Sequence, residues 1–167
     1  MSRTIGVLQV HSCPIALTAR LEWSLSSLVG VTLRCKWQEQ PFEPGQMRTS
    51  IEWVADAGIV TKIASTLRGF EDCRFEVWQA GEKGKDSIRY LHTPNLGLFY
   101  TLTDAAGNAM VGEDRIRYAL GVADGDVTLL EHELDRALGN AWERELEPYR
   151  ECRTAEPLPA QNLVSGG

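Results

Sequence analysis

The chain has 167 residues, of which 43% are hydrophobic and 24% are charged. This composition is ordinary for a soluble globular protein, and the length suits one domain. The 23 acidic and 17 basic side chains give a formal net charge of −6, which opposes any affinity that depends on neutralising phosphates. We therefore expect no nucleic acid partner.

The sequence shows neither an export signal nor a membrane span. Met-Ser-Arg-Thr leads directly into an alternating apolar segment, without the charged region and continuous apolar stretch of a signal peptide. Purely apolar runs fall well short of the ~20 residues needed to cross a bilayer. We expect a cytoplasmic protein with no membrane partner, in which the cysteines are reduced.

Residues 5–78 alternate between a repeat of two, typical of strands, and a repeat near 3.6, typical of helices. The predicted elements are a strand at Ile5–His11, a leucine-striped helix ending at Gly30, strands at Val31–Trp37 and Met47–Val54, a helix between Asp56 and Gly69, and a strand around Phe75 and Val77. This order is typical of the ferredoxin-like split β-α-β sandwich, an α+β fold. Its strand order is four, one, three, two.

The chain beyond residue 80 extends this sandwich. Two strands at 88–93 and 97–103 predict an added β-hairpin, and helices follow at 113–120, 127–138 and 141–146. We expect a single α+β domain over residues 1–152, with its core at 4–80, the added strands within 87–111 and the C-terminal helices within 113–150. The stretch 153–167 lacks apolar periodicity and predicts a disordered tail.

The most suggestive short sequence is His11-Ser12-Cys13-Pro14, where the first predicted strand passes into the first helix. A helix N-terminus presents unpaired N–H groups and the positive end of the helix dipole, which favour a thiolate or a bound anion. His11, Ser12 and Cys13 are therefore candidate catalytic residues, with Cys13 and His11 as nucleophile and base. The alternative is that Ser12 or Cys13 only begins the helix and that Cys13 is a small buried apolar group.

The predicted strand order places Cys13 beside Cys73, and these two thiols could form a redox pair. Cys35 lies three strand spacings from Cys73, about 14 Å at about 4.8 Å per spacing, so one zinc ion with bonds near ~2.3 Å cannot join them. His92 is placed in a turn or at the surface, and His132 on a helix face. Neither has a second histidine at ligand spacing, so we expect no metal.

Five tryptophans are many for this length, and three of them, Trp37, Trp53 and Trp78, lie on separate predicted strands. If they share the sheet face opposite the first two helices, they form an aromatic surface for a ligand or a partner. The alternative is that the appended helices bury these rings. The covering residues would then be Leu130, Leu134, Leu138 and Trp142.

Five segments of the chain together resemble a family of actinobacterial proteins of unknown function. They are residues 6–12, 68–70, 93–97, 112–115 and 145–148. The resemblance covers nearly the whole chain up to the tail, and it implies a bacterial cytosolic protein without assigning any catalytic residue. It also implies a genomic context near fatty-acid synthesis genes.

Glycine-rich phosphate loops and the Gly-x-Ser-x-Gly elbow are not found in this sequence. We therefore expect no cofactor, and the sequence favours a non-enzymatic accessory or regulatory protein, for which the family resemblance implies a context near fatty-acid metabolism. Such a protein would act by binding a protein partner or a second copy of itself. The alternative is a small-molecule binder or thiol-dependent enzyme that uses the junction between the first strand and the first helix.

Overall fold

The computed structural model of the protein describes residues 3–151 and 161–164. Its strands are β1 (Arg3–Pro14), β2 (Gln38–Glu39), β3 (Gln46–Asp56), β4 (Arg74–Gln79), β5 (Ser87–Thr93), β6 (Gly97–Thr103), β7 (Ala109–Met110) and β8 (Gln161–Val164). Its helices are α1 (Thr18–Val29), α2 (Ile59–Leu67), α3 (Glu113–Ala123), α4 (Val127–Ala137) and α5 (Asn140–Glu151). None of these helices is long and apolar enough to cross a membrane.

One antiparallel sheet of seven strands organises the molecule, in the order β2-β3-β1-β4-β5-β6-β7. The predicted first, third and fourth strands lie next to one another as β3-β1-β4, and the short β2 at the edge of β3 is not the second strand predicted at Val31–Trp37. The added hairpin is β5 and β6, which extends the sheet beyond β4. The fold is therefore mixed α+β.

Helices α1 and α2 cover one face of the sheet and form the main core. Leu21 and Leu25 of the predicted leucine stripe are 0% and 2% exposed. Helix α1 ends at Gly30, whose φ of 72° suits a residue without Cβ. The strand residues in this core are Leu8, Val10, Ile51, Trp53, Phe75 and Val77, and those of α2 are Val60, Ile63, Ala64 and Leu67.

Helix α5 packs on the opposite face of the sheet, over β5 and β6. Trp142 and Leu146 form a second, smaller core there with Leu91 and Phe99. The Trp142 ring lies 4.7 Å from the Phe99 ring, and its Nε1 donates to the Gly97 carbonyl at 2.9 Å. This contact holds the C-terminal helix against the added hairpin.

The predicted strand at Val31–Trp37 is wrong, because the strand that precedes β3 along the chain is the short β2 at Gln38–Glu39. Two side chains of α1 take the backbone N–H groups that would have joined a ladder. Ser26 Oγ accepts from the Leu33 amide at 2.8 Å, and Glu22 accepts from the Cys35 amide at 3.0 Å. The alternating pattern therefore belongs to an extended segment that is bonded to a helix instead of a strand.

Strand β8 lies along the edge of β3 that the predicted strand would have used. The β2–β3 register pairs Gln38 with Arg48, and its continuation would bring Cys35 opposite Ile51. Instead β8 runs parallel to β3, with Gln161 opposite Ile51 and Val164 opposite Val54. Residues 161–164 thus depart from the disorder predicted for the tail, whose other residues lie outside the described ranges.

Candidate functional site

A β-bulge in β1 decides where the three candidate catalytic residues point. The pairing of β1 with β3 shifts by one residue between Val10 and Cys13, and its pairing with β4 shifts between Val10 and Ser12. One extra residue in a strand reverses the face of everything after it. Cys13 therefore joins Val10 in the main core, whereas His11 reaches a carboxylate beneath α5.

His11, Ser12 and Cys13 do not lie at the N-terminus of a helix, where the sequence predicted them. Strand β1 continues through Pro14, and a short 3₁₀ turn at Ile15–Leu17 precedes α1. His11 is 5% exposed, and Ser12 and Cys13 are fully buried. The sequence pattern ended the strand at His11, whereas β1 continues for three more residues, through the bulge to Pro14.

The residue that His11 contacts is Glu76 on β4, the centre of a charged group between the sheet and α5. His11 Nε2 donates to Glu76 Oε2 at 2.5 Å, and Arg89 Nη2 donates to Oε1 at 2.6 Å. Arg150 of α5 donates from Nε to Oε2 at 2.8 Å and also from Nη2 to Oε1. We call His11, Glu76, Arg89, Glu143 and Arg150 the Glu76 cluster.

Glu143 closes the cluster from the side of the helix. It accepts from Arg89 Nη1 at 2.6 Å and from Arg150 Nη1 at 2.5 Å. Both arginines are thus held between two carboxylates, one on the sheet and one on α5. An ion network shared in this way ties α5 to β1, β4 and β5.

Burial and hydrogen bonding have opposite effects on the pKa of Glu76. Burial of this carboxyl, which is 12% exposed, raises its pKa, but the hydrogen bonds and charges of His11 and Arg150 lower it further, and the net pKa is well below its usual range. Burial lowers the pKa of Arg150, but the contacts with Glu76 and Glu143 raise it by more, so the net pKa is above its usual value. Glu76 is therefore a stabilised anion, which makes it a poor proton acceptor.

Ser12 belongs to a second polar group at the same end of the sheet. Arg74 Nη1 donates to Ser12 Oγ and to Glu43, each at 3.3 Å, and Tyr149 of α5 donates its hydroxyl to Glu43 at 2.6 Å. The Arg74 guanidinium also lies 4.4 Å from the centre of the Tyr149 ring. Burial, with the bond to Glu43, raises the pKa of Tyr149 to about 12.

The thiols of Cys13 and Cys73 are neighbours, as predicted, and each shifts the pKa of the other. Both are fully buried, and the Cys13 Sγ lies 3.6 Å from the Pro14 carbonyl oxygen. The neighbouring Cys13 thiol and burial both raise the pKa of Cys73. Burial, with Glu22 beside it, raises the pKa of Cys35 to about 12. Cys35 and Cys73 are therefore thiols, not thiolates, at neutral pH.

His92 is buried, which corrects its predicted place in a turn or at the surface. It lies on β5, 3% exposed, with its ring stacked at 5.0 Å on Phe75. Its Nδ1 donates to the Cys73 carbonyl at 2.7 Å, and burial lowers its pKa. Within the described ranges, no group of three His, Cys, Asp or Glu side chains is placed to hold a metal ion.

The three tryptophans of the proposed aromatic surface do not share one face. Trp53 pairs with Gly6 and Trp78 with Val7, and adjacent residues of β1 point to opposite sides of the sheet. Trp53 is 3% exposed in the main core, and Trp78 is half-buried on the other face. Trp37 lies in the segment bonded to α1, where its Nε1 donates to Glu22 at 3.2 Å.

Several exposed apolar side chains lie on α3 and α4, which pack against each other as a hairpin. We call residues 113–137 the helical arm. Its two buried side chains are Ala119 and Ala123, where the helices meet. Its exposed apolar side chains are Tyr118 (65%), Val127 (67%), Leu120 (56%), Ile116 (41%), Val122 (37%) and Leu129 (36%).

The exposed apolar side chains of the helical arm were not predicted from the sequence, which indicated only helices at 113–120 and 127–138. In α3 the apolar residues flank the Ala119 and Ala123 pair on both sides, which is a wider arc than one neighbouring helix can cover. That width was the available signal. An apolar arc of this width indicates a helix that has apolar side chains beyond those needed to pack against one neighbouring helix.

The fold and these contacts define a mixed α+β protein in which the polar side chains that could carry chemistry are joined to one another beneath a C-terminal helix. The chain belongs to the family described as "Protein of unknown function (DUF3145)", whose family model matches residues 7–159. No curated protein and no solved structure matches the chain. Family membership thus extends over most of the chain and assigns no activity.

Proposed function

We propose that this is a non-enzymatic accessory or regulatory protein that binds a protein partner through the helical arm. The observation that supports this function most directly is the set of exposed apolar side chains on both shoulders of α3 and at the start of α4. Large exposed apolar patches on soluble proteins mark interaction sites. Aromatic and aliphatic anchors such as Tyr118 and Leu120 are typical of interface centres.

The charge of the arm identifies the kind of partner. Residues 113–137 contain seven carboxylates and three arginines, a net charge of −4 out of −6 for the whole chain. Two copies of such a surface would repel each other, which disfavours a homodimer here. A partner with an apolar centre and a rim of lysine or arginine side chains fits both the apolar and the charged part of the arm.

The alternative function, a small-molecule binder or thiol-dependent enzyme at His11, Ser12 and Cys13, has weaker support. All three side chains are buried, and His11 and Ser12 are bonded to Glu76 and Arg74. The ferredoxin-like name for the fold is a proposal supported by the order of the first four strands. The cytoplasmic location, the actinobacterial origin and the link to fatty-acid metabolism stay predictions.

Site-specific photo-crosslinking in the native host tests the function. A crosslinking residue at position 118 should capture one defined partner, and the same residue at position 23 should not, because Trp23 is equally exposed (70%) but lies on α1. The purified partner should then lose at least tenfold in affinity for Leu120→Ser, lose none for Trp23→Ser, and bind more weakly as salt rises. Equal capture at both positions would contradict the proposal.

A further inference from the structure

The edge of β3 carries a second, separate surface. In the antiparallel sheet, β3 is bonded to β1 on one side, and on the other side β2 pairs only with Met47 and Arg48. Residues 31–37 do not pair with the edge beyond them, and the amides of Leu33 and Cys35 are bonded to Ser26 and Glu22 of α1. An open strand edge presents unpaired N–H and C=O groups and is a template for a further strand.

A strand from the far end of the chain occupies this edge. Gln161–Val164 pairs with Ile51–Val54 in parallel, and the match to the family model ends before it, at residue 159. The edge thus accepts an extended segment that is distant from β3 in the sequence. Main-chain pairing of this kind is independent of most of the incoming sequence, so a segment of another protein can use the same backbone groups.

We propose that the β3 edge at Ile51–Val54 is a docking site for an extended segment of a partner protein, and that Gln161–Val164 is its intramolecular competitor. This surface is distinct from the helical arm, on the opposite flank of β1. The partner segment must displace four residues of β8, and it gains the same backbone pairing in return. The free protein is therefore self-occupied, and binding requires release of the tail.

The side chains of β3 specify the chemistry of the partner segment. Glu52 and Val54 alternate on the face of the sheet opposite α1 and α2, where both are exposed, and Val54 lies opposite Ile5, which is 56% exposed. An incoming strand places residues beside Glu52 and Val54. The segment that fits best has a lysine or arginine next to Glu52 and an apolar residue next to Val54. The chain's own tail has Asn162 and Val164 at those positions, so it matches only the apolar one.

The test uses the full-length protein with the tail strand disabled by Asn162→Pro and Leu163→Pro, because proline cannot donate to a ladder. The matched control is Ser165→Pro, just beyond the strand. Hydrogen exchange should show the edge-facing amides within residues 51–54 protected in the wild type and the control, and exposed in the double-proline variant, whereas the amides that face β1 stay protected in all three proteins. Unchanged protection in the double-proline variant would overturn the proposal, because the tail would then not occupy the edge.

A labelled peptide with the sequence of residues 159–167 is the first binding probe. It should restore protection at 51–54 in the double-proline variant and bind the wild type at least tenfold more weakly, because the tail competes. Equal binding to both proteins, or no binding to the variant, would overturn the docking site. A dimer of the wild type that the double-proline variant loses would assign the edge to a second copy and also overturn it.

A second peptide, with lysine in place of Asn162, tests the chemistry of the partner. It should bind the double-proline variant about two- to fivefold more tightly than the first peptide, as expected for an opposite-charge pair across two strands. In a variant that also carries Glu52→Lys, the preference should reverse. Equal affinity of the two peptides for both proteins would remove the charge specificity.

Discussion

The Trp53 indole on β3 lies directly against the backbone of Gly6 on β1. A Cβ at Gly6 would come within 2.2 Å of Trp53 Cζ2 and 2.7 Å of the Trp78 carbonyl oxygen. Real carbon atoms do not approach so closely, so only glycine fits at this crossing of the two strands. The main core is therefore built around a strand position without a side chain.

Gly6→Ala should destabilise the protein by about 1–3 kcal/mol, because the ring or the strand must move to admit the methyl group. Chemical denaturation followed by tryptophan fluorescence measures this loss. The control is Gly121→Ala on α3, where a Cβ meets nothing within 4 Å and the helix gains a better helix former. An equal loss in both variants would show that Trp53 does not constrain Gly6.

Glu76→Ala should destabilise the protein by about 3 kcal/mol, because it leaves His11, Arg89 and Arg150 beneath α5 without their shared carboxylate. This is the low end of the range for breaking a buried ion pair, since Arg89 is 29% exposed and water can reach it. The control is Glu113→Ala, whose partner Arg117 is 76% exposed, and it should change stability little. Thermal unfolding of both variants measures the difference.

The wild type should also lose stability in acid through Glu76. Because the folded-state pKa of Glu76 lies below the unfolded value near ~4.3, its contribution is fully present above that value and is lost as pH falls through the folded-state pKa. Denaturation midpoints between pH 7 and pH 2 should therefore fall more steeply for the wild type than for Glu76→Gln. Parallel curves would exclude Glu76 as an acid-sensitive contact.

The rate of alkylation shows whether Cys13 is an inert buried thiol or a reactive nucleophile. In a Cys152→Ser background, Cys13 and Cys73 should react with iodoacetamide at least a thousandfold more slowly in the folded protein than in denaturant, since both are fully buried. Mass spectrometry after trypsin digestion measures each site separately. Fast modification of Cys13 in the folded protein near pH 7 would instead support the thiol-dependent alternative.

The mixed α+β class, most of the helices and strands, and the proximity of Cys13 to Cys73 could be predicted from the sequence, because apolar periodicity marks the elements along the chain. The bulge at residues 10–13 could not, since one extra residue leaves the alternating pattern of β1 nearly unchanged. The Glu76 cluster was also out of reach. It joins β1, β4, β5 and α5, and no spacing in the sequence records that these elements meet around one carboxylate.

Residues 31–37 have the alternating pattern of a strand but are hydrogen-bonded to helix α1 instead, and Glu22 of α1 makes two of these bonds. Glu22 accepts from the Cys35 amide and from the Trp37 indole, so Glu22→Ala should leave two donors unsatisfied and cost about 1–3 kcal/mol. Hydrogen exchange should then show faster exchange at residues 33–37, and Trp37 fluorescence should shift towards that of an exposed indole. Glu39→Ala, at an exposed position on β2, is the control and should change neither signal. If Glu22→Ala left the exchange of 33–37 unchanged, packing of the segment against the main core would be what keeps it from pairing with β3.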